Sequence, residues 1–412
     1  MVSVKNLPAD DVKPAAKVTV SLLAQMAILG FVALAPWNFV LSELPYLDEK
    51  FENHFGATVP ICYGAAVNIA QLLLIWVGNK FTFAPRFDWG CIILSIFNIL
   101  LAIVAMTIGD DNAVENPNLG FGLGLVCVFL LGFGHAVMES SAFGLAALCP
   151  KSCMIWVMVG EGVAGLVGWP LSMLLNWALT AGGVDRVSEW RCLIFFCITS
   201  LVTVIIVPMF RMITSKHPYM AEVLKIEQNR AKSSVMTRQT RRPVLAIVKD
   251  VAPMAFGAWC TLAVTFTVFP AQVVLWQSSD PSNTGFVSQV IYTFQVVDTI
   301  GRFIPNLGIN LRPSFLMAFT VARSLFIPLF ICTSLYPTVV PFHYDWFKHM
   351  QMGVFALTNG ASATLSMVGG PQRVPNDKAE QEVAGYTMGF ALINGIFVGS
   401  ILGICTNLGL GQ

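Results

Sequence analysis

Polar and apolar residues in this chain are segregated into long blocks. Apolar runs of roughly 20 residues, the length that crosses a bilayer core, recur from Val18 almost to the C-terminus. A window of about 19 residues sets spans near 18–42, 58–79, 89–109, 119–148, 152–181, 191–213, 250–273, 285–305, 313–335, 346–368 and 383–408. One long polar segment, Lys216 to Lys249, interrupts the series and carries Arg230, Lys232, Arg238, Arg241 and Arg242. The pattern predicts an all-α polytopic membrane protein of eleven transmembrane helices in a 6+5 arrangement. Residues 1–215 form a six-helix bundle, 216–249 a basic cytoplasmic loop and 250–412 a five-helix bundle.

Composition agrees with that pattern. The chain is 56% hydrophobic and 11% charged, whereas soluble domains are about 25% charged, which excludes an ordinary soluble enzyme. With 24 Lys and Arg against 23 Asp and Glu, there is no basic excess to serve a nucleic-acid partner. The first sixteen residues are polar and the first apolar run is too long for the core of a cleaved signal peptide. The ten cysteines sit mostly in apolar runs with no CxxC pair, so they read as small buried hydrophobes and not as a disulfide or metal framework.

Basic residues orient membrane proteins, because loops rich in Lys and Arg stay in the cytoplasm. With the N-terminus inside, eighteen of the 24 basic residues are cytoplasmic; Lys50, Arg186, Arg191 and Lys348 lie outside, and Arg302 and Arg323 fall within spans. The outer loops are acidic, as in Asp48–Glu49–Glu52 and Asp110–Asp111–Glu115, and Gln412 falls outside. A weak repeat relates the two parts: Ala136-Val-Met-Glu139 resembles Ala356-Leu-Thr-Asn359, and Val163-Ala-Gly165 matches Val383-Ala-Gly385 at the same spacing. Parallel repeats of this kind place a substrate site between them near the midplane.

Ionisable residues inside a bilayer are costly and mark candidate sites. Here they are Glu139, Glu161, Asp298, Arg302 and Arg323, with His135 one turn before Glu139. Glu139 and Glu161 each stand eleven residues from Pro150, about 16 Å at 1.5 Å per residue, so a tight hairpin there sets both near mid-membrane. A second hairpin through Pro305–Pro313 sets Asp298 and Arg323 at similar depth, and the i, i+4 spacing puts Asp298 and Arg302 on one face. The competing reading is a set of buried ion pairs that hold helices in register. Pro36-Trp37-Asn38-Phe39 and Phe269-Pro270 suggest kinked helices around a cavity. Trp37 serves equally as a stacking platform for a planar ligand or as an interfacial belt residue. Gly160, Gly162, Gly165 and Gly168 suit close helix packing. No HExxH, GxSxG or GxxxxGK[ST] occurs, so hydrolysis and ATP-driven pumping have no visible machinery and no cofactor or metal is expected.

Several of these elements together resemble the equilibrative nucleoside transporter family. They are Pro36-Trp37-Asn38, Glu139-Ser-Ser-Ala-Phe-Gly-Leu-Ala146, Gly160-Glu-Gly-Val-Ala-Gly165, Phe269-Pro270, Asp298-Thr-Ile-Gly-Arg302, Ala322-Arg323-Ser-Leu-Phe-Ile-Pro328 and Thr358-Asn359-Gly360, in order along the chain. The resemblance implies an eleven-helix fold related to major facilitator proteins, a monomer in the plasma membrane, and a central site for purine nucleosides or nucleobases reached by alternating access. It implies substrate binding by Trp37, Asn38, Glu139, Asp298, Arg302 and Asn359. Glu139 and Glu161 stand where Gln is frequent in the family, and His135 where a small residue is. These departures resemble proton-coupled protozoan members and make His135, Glu139 and Glu161 candidates for proton coupling or gating, and Arg323 joins them as an intramembrane charge. A major facilitator carrier of another solute is the alternative. The loop Gly78-Asn-Lys-Phe-Thr-Phe-Ala-Pro-Arg86, however, lacks that group's G-x-x-x-D-R-x-G-R pattern.

Overall fold

The computed structural model describes residues 18–51, 55–78, 81–108, 117–232, 242–283, 285–309, 311–374 and 377–409, and the regular structure in them is helical throughout. Met1–Ala16, Glu52, Asp110–Asp111–Glu115, Arg238, Arg241 and Gln412, to which the sequence reading assigned places, lie outside the described residues. The helices are α1 (Val20–Ser42), α2 (Leu44–Phe51), α3 (Phe55–Val77), α4 (Phe83–Ile108), α5 (Pro117–Ala147), α6 (Lys151–Ala181) and α7 (Val187–Lys216). They continue as α8 (Pro218–Lys232), α9 (Val244–Val268), α10 (Phe286–Phe303), α11 (Pro313–Ala322), α12 (Phe326–Leu335), α13 (Asp345–Gly369) and α14 (Lys378–Gly409).

Nine helical stretches among the described residues are long and apolar enough to cross a membrane, with α11 and α12 counted as one. The other two expected spans, 285–305 and 346–368, do form helices, α10 and α13, but fall outside that set. Each carries a polar face: Gln295, Asp298, Thr299 and Arg302 on α10, and Gln351, Thr358, Asn359 and Ser362 on α13. Large apolar side chains such as Trp76, Ile96, Leu174, Leu201, Phe315 and Leu408 are exposed on the outside of the bundle, the distribution a lipid-facing surface requires.

Three local expectations need correction. The segment 216–249 is not a plain loop, because α8 occupies its first half and α9 begins at Val244. Phe269-Pro270 does not kink a helix; α9 ends at Val268, Phe269 is extended and the peptide bond to Pro270 is cis. The span 313–335 is instead broken, by a 3₁₀ turn at Arg323–Leu325. The cysteines are all free, but Cys197 and Cys405 are exposed.

Close backbone approach builds the bundle, as expected where lipid removes the ordinary hydrophobic drive between helices. Helix α1 lies on α6, and α14 on α9. At the first crossing a Cβ on Gly160 would overlap the carbonyl of Ala27, and one on Gly30 that of Val157. Gly160→Ala is therefore expected to destabilise the protein by about 1–3 kcal/mol, read as a lower melting temperature in detergent. Gly353→Ala, which meets open space, is the control expected to leave it unchanged. A second crossing, Gly301 on α10 against Gly360 on α13, fixes the register of the polar faces of those helices.

Candidate functional site

Asp298 and Arg302 meet as their spacing requires, with Arg302 Nε donating to Asp298 Oδ2 at 2.8 Å. The same guanidinium crosses to α6, where Nη1 donates to the Met158 carbonyl at 3.0 Å and to Glu161 Oε2 at 3.1 Å. One cation thus ties together carboxylates from α6 and α10. Asp298 Oδ1 accepts from Asn359 Nδ2 at 2.7 Å, and the Thr265 hydroxyl donates to Asn359 Oδ1 at 2.6 Å. The Gly301–Gly360 contact makes this possible, since it brings Asn359 within reach of the Asp298 turn.

Arg323 lies behind this group. It is buried, and its guanidinium donates to the carbonyls of Thr261 (2.9 Å) and Phe355 (3.2 Å) and to the hydroxyls of Thr265 (3.1 Å) and Thr358 (3.2 Å). The Phe355 ring lies 5.1 Å from its carbon. Among the described residues its hydrogen bonds reach no carboxylate, so it braces Thr265 and, through it, Asn359.

A second group gathers on α5, α3 and α1. His135 and Glu139 are each 1% exposed, with His135 Nε2 3.3 Å from Glu139 Oε1. Gln71 Nε2 donates to Glu139 Oε2 at 2.5 Å, and the Tyr63 hydroxyl bonds His135 Nδ1. Trp37 stacks on Tyr63 with ring centroids 3.6 Å apart and planes at 9°, so one of its faces is covered. Asn38 contributes its carbonyl to the Ser42 hydroxyl at 2.9 Å, and no hydrogen bond of its side chain appears among the described residues. Buried acceptors without a donor remain at Gln71 Oε1, Glu139 Oε1 and Glu161 Oε1. Buried acceptors are normally paired, so three of them around one region make it a place that takes hydrogen-bond donors.

The two ends of the bundle differ. At one end Arg86, in the first turn of α4, donates to Glu382 Oε1 on α14 at 2.8 Å and also to the Tyr386 hydroxyl, which in turn bonds Glu382. Lys378 adds a bond to the Leu148 carbonyl at 2.9 Å. At the other end the contacts of Glu43 stay within the first 215 residues: Arg191 grips Glu43 with Nε and Nη2, each 3.0 Å from Oε2, and Ser172 donates to Glu43 Oε1 at 2.7 Å. Lys348, expected in an outer loop, is buried and donates to the Gln277 carbonyl at 2.6 Å.

Sequence reasoning missed Tyr63, Gln71, Thr265 and the Arg86–Glu382–Tyr386 bridge. Gln71 gave a signal, a lone amide in the apolar run Ile69 to Val77. The others gave none, because their partners are 72 residues away or more in most cases.

Residues 125–407 match the model of a family described as Nucleoside transporter. The chain is 27% identical to equilibrative nucleoside transporter 1 of Homo sapiens, covering 91% of this chain and 94% of that one. It is 22% identical to nucleoside transporter 1.2 of Leishmania donovani, covering 81% and 79%. Among solved structures it is similar to a major facilitator superfamily transporter, FucP, in the outward conformation, at a TM-score of 0.58 and 13% identity over 95% and 93% of the two chains. At that identity the likeness speaks for the fold alone.

Proposed function

Since the chain belongs to the nucleoside transporter family, we propose that it carries purine nucleosides or nucleobases across the plasma membrane by alternating access. The observation that carries this reading is the central group: Arg302 holds Glu161 and Asp298 from opposite sides, beside buried acceptors that lack donors. Purines and ribose present N–H and O–H groups side by side, and paired carboxylates with a guanidinium answer donors and acceptors alike. Trp37, Asn38, Glu139, Asp298, Arg302 and Asn359 are the residues assigned to substrate.

Eleven spans, with the N-terminus inside and the C-terminus outside, divide into halves 1–215 and 250–412 joined by 216–249. Helix contacts support that division, since α1 on α6 is matched by α9 on α14, and α3 on α5 by α10 on α13. The halves meet where α14 crosses α3 and α5 and α6 crosses α10. The basic residues put the Arg86 bridge at the cytoplasmic end, so this arrangement is closed inward and faces out. Arg86→Ala is expected to loosen that closure and lower uptake about tenfold, on the order of one buried charge-assisted bond. Lys replacement, which keeps the charge, should restore part of it.

His135 and Glu139 make the reading a proton-coupled one, with a proton and substrate bound together. An uptake competition panel of labelled purines and pyrimidines in a purine-auxotrophic host tests the substrate class. Saturable uptake that only non-purine solutes inhibit would instead favour a carrier of another solute.

A further inference from the structure

We propose that the cleft beside the Arg86 bridge binds a phosphate monoester on an apolar body, a nucleoside monophosphate or a monophosphorylated lipid, which holds the two halves together. Two adjoining cavities of about 230 Å³ each form this cleft, and Lys151, Val368 and Gln372 line both. Lys378, Gln381 and Tyr219 complete the first, and Arg373 with Ile155, Met254, Leu316 and Leu365 the second. Lys151 and Gln372 form the shared wall; the first part adds Lys378, Gln381 and Tyr219, and the second adds Arg373 to a mostly apolar lining. Among the described residues, three cations and no carboxylate line the pair.

Of the carboxylates close by in sequence, Glu222 stands one turn from Tyr219 on α8 without lining either cavity, and the other three are engaged elsewhere. Asp377 caps α14 through the Ala379 amide at 2.9 Å, Glu380 is held by Arg242 at 2.8 Å, and Glu382 by Arg86 at 2.8 Å. Lys378 is fixed at the junction of the halves by its bond to the Leu148 carbonyl. Tyr219 is 6% exposed and lines the first cavity, and among the described residues its hydroxyl has no hydrogen-bond partner. Burial pushes its phenol above the ordinary range, so it remains an O–H donor toward an anion. The donor hydroxyl of a buried tyrosine and two solvent-reaching lysines together match phosphate oxygens, and the more apolar cavity matches a base or an acyl chain.

The effect on transport rests on the carrier reading above. A nucleoside delivered to the cytoplasm is consumed by phosphoryl transfer to its ribose, so a nucleoside monophosphate is the product of the next step. Bound across α6, α8, α13 and α14, it would resist the separation that opens the carrier inward.

The test uses purified full-length protein. AMP is titrated in detergent, and nanodiscs of phosphatidylcholine are compared with and without phosphatidylinositol 4-phosphate, with melting temperature as the readout. A rise with AMP, or in the doped nanodiscs alone, supports the site and identifies the free nucleotide or the lipid as its source. Lys151→Gln with Lys378→Gln is expected to weaken the response about tenfold and Tyr219→Phe about fivefold, the range for losing charged and neutral hydrogen bonds. The shift given by adenosine should be unchanged in these variants. A missing adenosine shift in wild type would count against the carrier reading and not against this one. No response to either phosphate probe, or a full response in the double variant, overturns the proposal.

Discussion

Asp298→Asn is expected to abolish uptake while the protein still reaches the membrane. Asp298 serves two donors at once, Arg302 Nε at 2.8 Å and Asn359 Nδ2 at 2.7 Å. An amide in its place offers one acceptor and one NH₂, so one of those donors faces another donor in a buried site. Removing one partner of a buried ion pair costs about 3–5 kcal/mol. At about 1.4 kcal/mol per factor of ten, a carrier that must hold substrate on this pair loses two to three orders of magnitude in kcat/KM. Surface biotinylation with labelled adenosine uptake separates the possibilities. Normal surface protein with uptake near background supports the assignment, and near-normal uptake refutes it. Loss of the protein from the surface would mark Asp298 as a helix-register residue. Thr265→Val then remains a test of the site itself, because it removes the hydroxyl that orients Asn359 and accepts from Arg323 while leaving every charged group in place. It should lower uptake by about tenfold, the range for losing buried hydrogen bonds.

The parts of this site that depend on spacing within one helix were legible in the sequence. The i, i+4 relation of Asp298 and Arg302, the hairpin at Pro150 and the close packing at Gly160 follow from helix geometry alone, and the structure has all three. Relations between helices were not. Depth arithmetic set Glu139 and Glu161 at one level, but it carried no information on rotation about the helix axis. Rotation is what gives Glu161 to Arg302 and Glu139 to Gln71. Arg323 reads as a coupling or gating candidate because it is charged and deep. Its helix is broken there, and the turn aims the guanidinium at carbonyls of α9 and α13. Lys348 looked external because it flanks an apolar run, yet the fold seats it under the α9–α10 connection on the Gln277 carbonyl. Helices α10 and α13 are less apolar than the other spans for a related reason, since one face of each is committed to the polar group.

Uptake by the wild-type carrier is expected to rise as external pH falls, and Glu139→Gln is expected to remove that rise. Glu139 Oε2 is occupied by the Gln71 amide, whereas Oε1 faces His135 Nε2 at 3.3 Å without a completed hydrogen bond. The Tyr63 hydroxyl on Nδ1, acting as donor, leaves the ring hydrogen on Nε2, the nitrogen nearer Glu139. A proton arriving from outside can then reside on the His135–Glu139 pair, and Glu161 and Arg302 are the charged groups across from it on α6 and α10. Neutralising Glu139 turns an acceptor into an O–H donor beside the proposed substrate site, which would suit the acceptor nitrogens of a purine. Proton and substrate then favour the same state, and each strengthens the binding of the other. A coupling of about 1 kcal/mol gives about a fivefold gain in apparent affinity, expected between about pH 8 and about pH 5.5 and abolished by a protonophore. In Glu139→Gln the amide keeps a permanent N–H donor at that position, so transport should persist with a flat pH profile. Tyr63→Phe, which frees the imidazole tautomer without touching Glu139, should weaken the pH response and retain uptake. A flat profile in the wild type, with Glu139→Gln equally active, would leave Glu139 as a hydrogen-bonding group for the base and remove coupling from the mechanism.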